Sequence, residues 1–555
     1  MQNLNESLQA KYPHLELAIL PLSQVNKDNE SKRIDSEYFK KEYLENEERL
    51  LNLNSVKLGK ICSFICNGDD CRDYKENGLK YIRTGDIKEY GLDLCNCATI
   101  RDDFISNIKL EIGDLLVTRK GNYGKSQVVN NIEILKSIVS SEIFQIKLKD
   151  INPYFVDVFL KTKFGQMQFE KNIHGVSNFS VTQESLLNFL IPLFSKPFQL
   201  EIEKLVKQSH EALEDSKRLY KEAQELLYKE LELDFKNPLK SLLKSSLQAD
   251  DYSLSLRGSE TSAAIQSKNI DCHESRCDSR NDKTACHNEP SPCHTERSEV
   301  SKKSKCGYFA NAQYDNMDSS LHKNDNIGCI ATKYPHLNIS VRPLSKSLHK
   351  SGRLDSEYYQ SKYDLMENKI KDYKGRYCKL QPSEIKDSNF MPKAQEKYRY
   401  IELANIGNNG NISEPLEDFG ENLPTRARRK VKTGDFIMSS IEGSLTSCAL
   451  ITPEFDNCVV STGFYVLNSA QLNGETLLVL FKCEFFQEYL RKFPSGTILT
   501  AISKDELQNI LIPKINPATQ EQIALKIQKS FTLRAKSKDL LQNAKIKLEN
   551  AIENG

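Results

Sequence analysis

The pattern of apolar positions is most regular near the end of each half of the chain. From Gln199 onward, apolar or small residues recur in alternating steps of three and four, which is the heptad seam of a helix that pairs with another helix. These positions are Ile202, Val206, Ser209, Leu213, Ser216, Tyr220, Ala223 and Leu227. From Gln520 they are Ile523, Ile527, Ser530, Arg534, Ser537, Leu541, Ala544 and Leu548. We therefore predict two long helices that pair with each other, the alternative being that each packs only on its own half.

Both seams belong to a repeat that spans most of the chain. Lys11-Tyr12-Pro13-His14-Leu15 recurs unchanged at 333–337, about 320 residues later, and the segments around Arg33 and Leu190 recur at a similar offset. The beginning and end of each half match well, whereas 55–175 and 375–495 share only sparse landmarks. This pattern indicates two shared scaffolds that carry two different functional parts. An old duplication that drifted at its surfaces is the alternative.

The middle of each half has the composition of a mixed α/β domain with much strand. Short apolar or β-prone runs bounded by Gly, Asn or Asp predict strands at Leu115–Thr118, Ile143–Ile146, Phe436–Met438 and Phe464–Leu467. We place the parts of the first half at 1–54 (N-terminal segment), 55–195 (strand-rich domain) and 196–237 (long helix). Those of the second half are 333–374, 375–516 and 517–555.

Residues 238–332 differ in composition from both halves. This stretch is rich in Ser, Asn, Asp, Glu and Lys, and we predict a disordered low-complexity linker or insertion. It holds Cys272-His273, Cys286-His287 and Cys293-His294, but the spacing of these pairs is too irregular to favour a zinc site.

Composition excludes several classes of protein. No run of 18 apolar residues could span a bilayer, and no basic start with an apolar stretch marks a secretory signal, so we expect a cytoplasmic protein without membrane contact. The 15 Cys are then interpreted as reduced thiols. The formal net charge of +1 neither supports nor excludes a nucleic-acid partner.

Catalytic motifs are missing from the sequence. Asn152-Pro153-Tyr154-Phe155 resembles the motif that holds a flipped adenine in amino-methyltransferases, but it lacks the second Pro and no Gly-rich methyl-donor loop precedes it. A phosphate-binding loop is absent, and the nine His are scattered without partners. We therefore expect no enzymatic activity, no metal and no cofactor bound by this chain.

Residues suited to nucleic-acid contact occur in both halves. A loop that follows a predicted strand joins glycines to cations and an amide, a combination that can lie against a phosphate backbone or reach base edges. The candidates in the first half are Arg83, Arg119, Lys120, Asn122, Lys125, His174 and Asn178. Those in the second half are Arg426, Arg428, Arg429, Lys430, Ser439 and Thr497. Arg119 has no cationic counterpart at the corresponding place, where Ser439-Ser440 stand.

Three landmarks, which follow one another in the same order in both halves, resemble segments of the specificity subunits of type I restriction enzymes. The first is Gly113-Asp114-Leu115-Leu116-Val117-Thr118-Arg119 with Gly121 and Gly124-Lys125. The second is Gly496-Thr497, then Leu511-Ile512-Pro513, then Glu521-Gln522-Ile523. The third is the long helix that closes each half.

The resemblance implies an α+β protein with pseudo-two-fold symmetry. Two target-recognition domains would be separated by two long antiparallel coiled-coil helices, and each domain would read one part of a bipartite site in double-stranded DNA. Methyltransferase subunits would dock on the helices, and a motor-nuclease subunit would join them. S-adenosylmethionine, ATP and Mg would belong to those partners.

Two other functions remain open at this point. The chain could be the recognition subunit of a type IIB or IIG methylase-nuclease. A neighbouring gene with methylase and nuclease motifs in one chain would favour this function. It could also be a coiled-coil interaction protein with no role on DNA, for which the near-zero net charge is the best support.

Overall fold

The computed structural model describes residues 2–242 and 353–555, apart from 16, 18, 27–28, 30–31, 76, 89–90, 93, 95–96, 174–178, 354 and 497–499. Two strand-rich domains lie in this part of the chain, and two long helices connect them. The first long helix is Lys196–Glu230 and the second is Pro517–Asn554. The predicted α+β class and the predicted pair of long helices are confirmed.

The first domain contains two four-stranded sheets. Its antiparallel sheet has the strand order Cys62–Asn67, Ile143–Leu148, Leu115–Thr118, Ser126–Val128. Its mixed sheet has the order Ile138–Val139, Leu79–Ile82, Ala98–Ile100, Tyr74–Lys75, in which the first two strands are parallel. Two small antiparallel pairs complete it: Ser55–Lys57 with Leu190–Pro192, and Ile87–Lys88 with Gly91–Leu92.

The second domain repeats this plan. Its antiparallel sheet has the order Ile385–Lys386, Phe464–Leu467, Phe436–Ser439, Cys448–Leu450. Its mixed sheet has the order Leu416–Phe419, Lys397–Ile401, Val459–Ser461, Ala427–Lys430, and a short pair joins Tyr377–Cys378 to Ile512–Pro513. The four strands predicted from the sequence are all present.

The two mixed sheets differ at their edges. Three strands correspond, because Tyr81-Ile82 and Tyr400-Ile401 each pair in parallel with a short Val-containing strand and antiparallel with a strand on the other side. The fourth strand is added beyond the antiparallel neighbour in the first domain and beyond the parallel neighbour in the second. The scaffold is therefore shared while the outermost strand is not.

Shorter helices pack around the sheets. In the first half they are Gln2–Lys11, Leu22–Val25, Lys41–Asn52, Leu58–Ile61, Ile132–Leu135, Pro153–Lys161, Lys163–Lys171 and Gln183–Leu187. In the second half they are Ser361–Lys371, Gly474–Lys482, Glu484–Leu490 and Lys504–Asn509, with single 3-10 turns at Pro382–Glu384, Leu403–Asn405, Glu442–Ser444 and Pro453–Phe455. Residues 238–242, which we assigned to the low-complexity segment, are helical, and the rest of 238–332 lies outside the described residues. Within the described ranges, no helix is both long and apolar enough to cross a bilayer.

Each long helix is joined to its own domain by a glutamine near its beginning. The Gln199 Oε1 accepts a hydrogen bond from the Asn152 backbone N at 3.0 Å, and Gln520 does the same for Asn473 at 3.0 Å. Both asparagines cap a helix of the domain with their side-chain oxygens. The same buried contact therefore sets the angle at which the long helix leaves each domain.

The two long helices run antiparallel, and serine pairs lie at the centre of their contact. Ser209 and Ser537 have their hydroxyl oxygens 2.9 Å apart, and so do Ser216 and Ser530. Ser209 also donates to the Ser537 backbone carbonyl at 2.7 Å, and Ser530 donates to that of Ser216 at 2.8 Å. All four side chains are buried. Because the second pair repeats the first with the two helices exchanged, a pseudo-two-fold axis passes between the pairs.

The far end of each long helix packs into the opposite domain. Leu541, Ala544, Leu548 and Ile552 belong to the first domain's core, whereas Tyr220, Ala223 and Leu227 belong to the second domain's core. The alternative that each helix packs only on its own half is therefore wrong. The first residues of two short helices are also bonded to the long helix of the opposite half. The backbone N of Lys163 donates to Glu549 at 2.8 Å, and that of Glu484 donates to the Tyr228 hydroxyl at 3.0 Å.

Enlarging a seam serine should destabilise the protein more than enlarging an exposed position of the same helix. We expect Ser537→Leu to lower the free energy of unfolding by about 1–3 kcal/mol, because the buried contact with Ser209 has no room for the larger leucine side chain. The control Ala535→Leu is at an exposed position and should change it by less than about 0.5 kcal/mol. Thermal and chemical unfolding measure both, and equal effects would contradict the packing described.

His210 joins the first long helix to its domain. Its Nδ1 lies 2.7 Å from the Asn130 amide nitrogen, so the ring accepts a hydrogen bond in its neutral form. Burial, followed by the nearby Lys161 ammonium, lowers the pKa of His210 to about 4. The unfolded chain, with an ordinary histidine pKa of about 6.5, binds a proton more readily.

Protonation of His210 should therefore favour unfolding. Its contribution to stability is complete above about pH 6.5 and decreases as the pH falls toward 4, by about 3 kcal/mol in total. We expect His210→Gln to lose this part of the acid sensitivity, which unfolding curves at several pH values measure. An unchanged pH dependence in the variant would be inconsistent with the buried neutral ring.

Candidate nucleic-acid interface

The loop 119–125 of the first domain is held in a fixed shape by the strand that precedes it. Thr118, the last residue of that strand, donates its hydroxyl to the Asn122 carbonyl at 2.7 Å and accepts from the Lys125 backbone N at 2.9 Å. Gly121 and Gly124 have φ of 64° and 75°, in the left-handed region that other residues enter at a cost. The loop therefore presents its cations and amide on a rigid turn.

Three of the predicted residues meet in one cleft beside this loop. Arg83, Arg119 and Lys120 line a cleft of about 500 Å³ between the two sheets of the first domain. The other lining residues are Asn67, Asp70, Arg72, Tyr74, Tyr81, Ser140, Ser141 and Glu142. Four cations against two carboxylates make the lining positive, and the two tyrosine rings, 6.2 Å apart, provide flat apolar surface.

Sequence reasoning missed Arg72 and Tyr74 in this cleft. They lie in a polar stretch without apolar periodicity, and the fold brings them to the cleft through the edge strand Tyr74–Lys75. Sequence reasoning also missed Tyr81, which falls opposite Tyr400 in the repeat. The strand-like Tyr81-Ile82, followed directly by Arg83, is the signal that could have indicated the cleft.

The cations of the cleft differ in how they are bound. The Arg83 Nε lies 3.7 Å from a carboxylate oxygen of Asp86, and the Arg72 Nη2 lies 3.6 Å from a carboxylate oxygen of Asp70. The Arg119 guanidinium carbon lies 5.3 Å from the centre of the Phe144 ring, and its Nε is buried without a hydrogen-bond partner among the described residues. Arg119 is thus held by a ring and not by a carboxylate.

In the second domain the predicted cations follow the outermost strand of the mixed sheet. Arg428 and Arg429 are half-buried in the strand Ala427–Lys430, while Arg426 and Lys430 are exposed. The Lys430 ammonium lies 5.5 Å from the centre of the Phe390 ring. This is the strand that has no counterpart at the same edge of the first domain.

Arg429 lies over the ring that is equivalent to the ring beneath Arg119, although it comes from a different strand. Its guanidinium carbon lies 5.4 Å from the centre of the Tyr465 ring. Tyr465 faces Met438 across the antiparallel sheet, just as Phe144 faces Val117, so the two rings are equivalent. The Arg429 Nε is also buried without a partner among the described residues, and burial lowers the pKa of its guanidinium.

The remaining predicted residues are placed differently. Asn122 is exposed and Lys125 half-buried on the loop 119–125. Ser439 is fully buried, and its hydroxyl lies 2.8 Å from that of Ser444, so it supports the loop as Thr118 does and offers no contact surface. His174, Asn178 and Thr497 lie outside the described residues.

Comparison with known proteins gives structural matches only. No protein-family model and no curated protein matches the chain. The type I restriction-modification S subunit from M. genitalium is similar at 10% identity and a TM-score of 0.36, covering 90% of this chain and 96% of that one. The HsdS subunit from Thermoanaerobacter tengcongensis is similar at 14% identity and a TM-score of 0.24, covering 90% and 96%. A chain from a structure on complex assembly and conformational transition of the type I R-M system has 15% identity, a TM-score of 0.23, and coverage of 90% and 95%.

The two glycines of the loop 119–125 should differ in their tolerance of a side chain. A Cβ on Gly124 would lie 3.2 Å from the buried Phe169 ring, whereas one on Gly121 would meet nothing within 4 Å. Both substitutions strain the backbone, but only the Cβ on Gly124 also crowds the Phe169 ring. We therefore expect Gly124→Ala to destabilise the protein by about 1–3 kcal/mol more than Gly121→Ala. Thermal unfolding of the two variants measures the difference, and a larger loss for Gly121→Ala would contradict the loop geometry.

Proposed function

We propose that this chain is the DNA-recognition subunit of a type I restriction-modification complex. Each strand-rich domain binds one part of a bipartite site in double-stranded DNA, the first through the cleft with Arg83, Arg119 and Lys120. The second binds through Arg426 and the strand that follows it, which carries Arg428 and Lys430. The Arg429 guanidinium completes the second surface.

The observation that carries this proposal is the doubled scaffold with different outermost strands. Two domains share the antiparallel sheet, the glutamine contact and the crossed helix, yet present their cations from different elements. A protein that needs two copies of one shape with two different surfaces is suited to reading two different sequences at one spacing. A coiled-coil protein without a DNA role has no need for a positive cleft with a loop fixed at its edge.

The helix pair supplies the spacing between the two reading domains. The long helices have 35 and 38 residues, and a helix of that length spans about 50 Å. The buried serine pairs hold them in one register. The domains consequently contact DNA at a constant separation, which leaves an unread spacer between the two parts of the site.

Catalysis in this proposal belongs to partner subunits. The exposed faces of the helices and domains offer docking surface for methyltransferase subunits, and a motor-nuclease subunit joins the assembly. S-adenosylmethionine, ATP and Mg are bound by those partners, and the assembly works in the cytoplasm.

Deleting the gene should remove one bipartite methyladenine motif from the methylome of the source bacterium, and restoring it should restore the motif. Sequencing that detects methylated adenine measures this directly. If the methylome does not change, binding of labelled duplex DNA by the chain with its neighbouring modification subunits decides. A DNA-recognition subunit loses affinity steeply as salt rises, because phosphate contacts release counterions. No affinity for DNA at low salt would refute the proposal.

A further inference from the structure

Two arginines that come from different elements lie over equivalent aromatic rings in the two domains. Arg119 follows the strand Leu115–Thr118 of the antiparallel sheet, whereas Arg429 lies on the outermost strand of the mixed sheet. The residue that corresponds to Arg119 by backbone contacts is Ser440, whose N donates to Gly463 as that of Arg119 donates to Glu142. An arginine therefore lies over the equivalent ring in both domains, although the two arginines belong to different elements.

The surroundings of both guanidinium groups are similar. The distances to the equivalent ring centres are 5.3 Å for Arg119 and 5.4 Å for Arg429, and the two Nε atoms are buried without a partner among the described residues. The ring and the burial fix the plane of the guanidinium, while the terminal nitrogens lie at its other end. In Arg429 one of these nitrogens donates to the Phe464 carbonyl, which restricts the group further.

Such restriction is more than a phosphate contact requires. A phosphate needs a positive charge within reach, which a flexible exposed side chain such as Lys120 supplies. A guanidinium of fixed plane is suited to two parallel hydrogen bonds with acceptors on one edge, and guanine presents this pair, O6 and N7, in the major groove. An aromatic ring below the guanidinium holds that plane before DNA arrives, so less conformational entropy is lost on binding.

We propose that Arg119 and Arg429 are equivalent specificity-determining residues, each reading a guanine in its own part of the bipartite site. This inference rests on the proposed function and assigns a base to one position of each part. Arg119 acts in the part that the first domain binds, and Arg429 acts in the other. The rings of Phe144 and Tyr465 position the two arginines.

The experiment selects bound duplexes from a randomised DNA library with the full-length chain and its modification subunits. Sequencing the bound fraction gives a preference for each base at each position. Wild type should give a two-part consensus with a guanine in each part. We expect Arg119→Ala to lower the preference for guanine by about tenfold to a hundredfold at one position of one part, with the other part unchanged. Arg429→Ala should do the same in the other part.

Two kinds of control separate base reading from charge and from folding. Lys120→Ala and Arg428→Ala remove neighbouring cations and should weaken binding at all sequences while the consensus stays the same. Arg119→Lys and Arg429→Lys keep the charge over the ring but remove the fork of donors, so they should still lose the guanine preference. Thermal unfolding identifies any variant that fails to fold, and the lysine variants then decide.

The outcomes distinguish this inference from the function on which it rests. If wild type selects no two-part sequence, the proposed function fails and the inference fails with it. If wild type selects one and the arginine variants keep every base preference while losing affinity, the guanidinium groups contact phosphate and the inference alone is overturned. A change in both parts from one substitution would show a structural role and overturn it equally.

Discussion

The structure depends on one constraint, which is that the two long helices meet in a single antiparallel register. Apolar seams alone define this register weakly, because a slip of one heptad again brings apolar side chains together. The two buried serine pairs determine the register. A slip of one heptad would place Ser209 beside Ser530 and leave Ser216 opposite Ile523, so a buried hydroxyl would lose its partner. Such a loss costs about 1–3 kcal/mol, which is enough to favour the observed register strongly.

Everything else follows from that register. The glutamine contacts at Gln199 and Gln520 attach each helix to its domain, and the crossed caps at Lys163 and Glu484 attach each domain to the other helix. Because these contacts occur in equivalent pairs, the two domains are related by the same pseudo-two-fold axis as the serines. The separation of the two cationic surfaces is thus decided by a few buried polar atoms at a distance from both.

The sequence predicted the scaffold better than the surfaces. The heptad seams and the strand Leu115–Thr118 depend on local periodicity, which a single sequence contains. The partner of the strand Ala427–Lys430 depends on which sheet edge is free, and this is decided by long-range pairing that a four-residue run does not encode. For this reason Arg429 was identified as a candidate contact, but its equivalence to Arg119 became visible only through the pairing of Tyr465 and Phe144.

Burial separated residues that the sequence could not. Ser439 is the last residue of its strand and Arg119 directly follows the equivalent strand. Both are polar, yet Ser439 is buried and hydrogen-bonded to Ser444 while Arg119 lines the cleft. Polarity predicts that a residue will have a partner, but the partner is decided by the neighbouring loop. Arg72 and Tyr74 show the converse, since an irregular polar stretch became part of the cleft through its edge strand.

The crossing of the helices has a consequence for the order in which the protein is made. Ala544, Leu548 and Ile552 complete the core of the first domain, but the ribosome adds them more than 480 residues after Leu50 and Leu58, the first residues of that core. Domains generally fold as units during synthesis, beginning with the N-terminal one. Here part of the apolar surface of the first domain stays uncovered until the second long helix has been synthesised. The core of the first domain accordingly lacks Leu541, Ala544, Leu548 and Ile552 until the second long helix has been made.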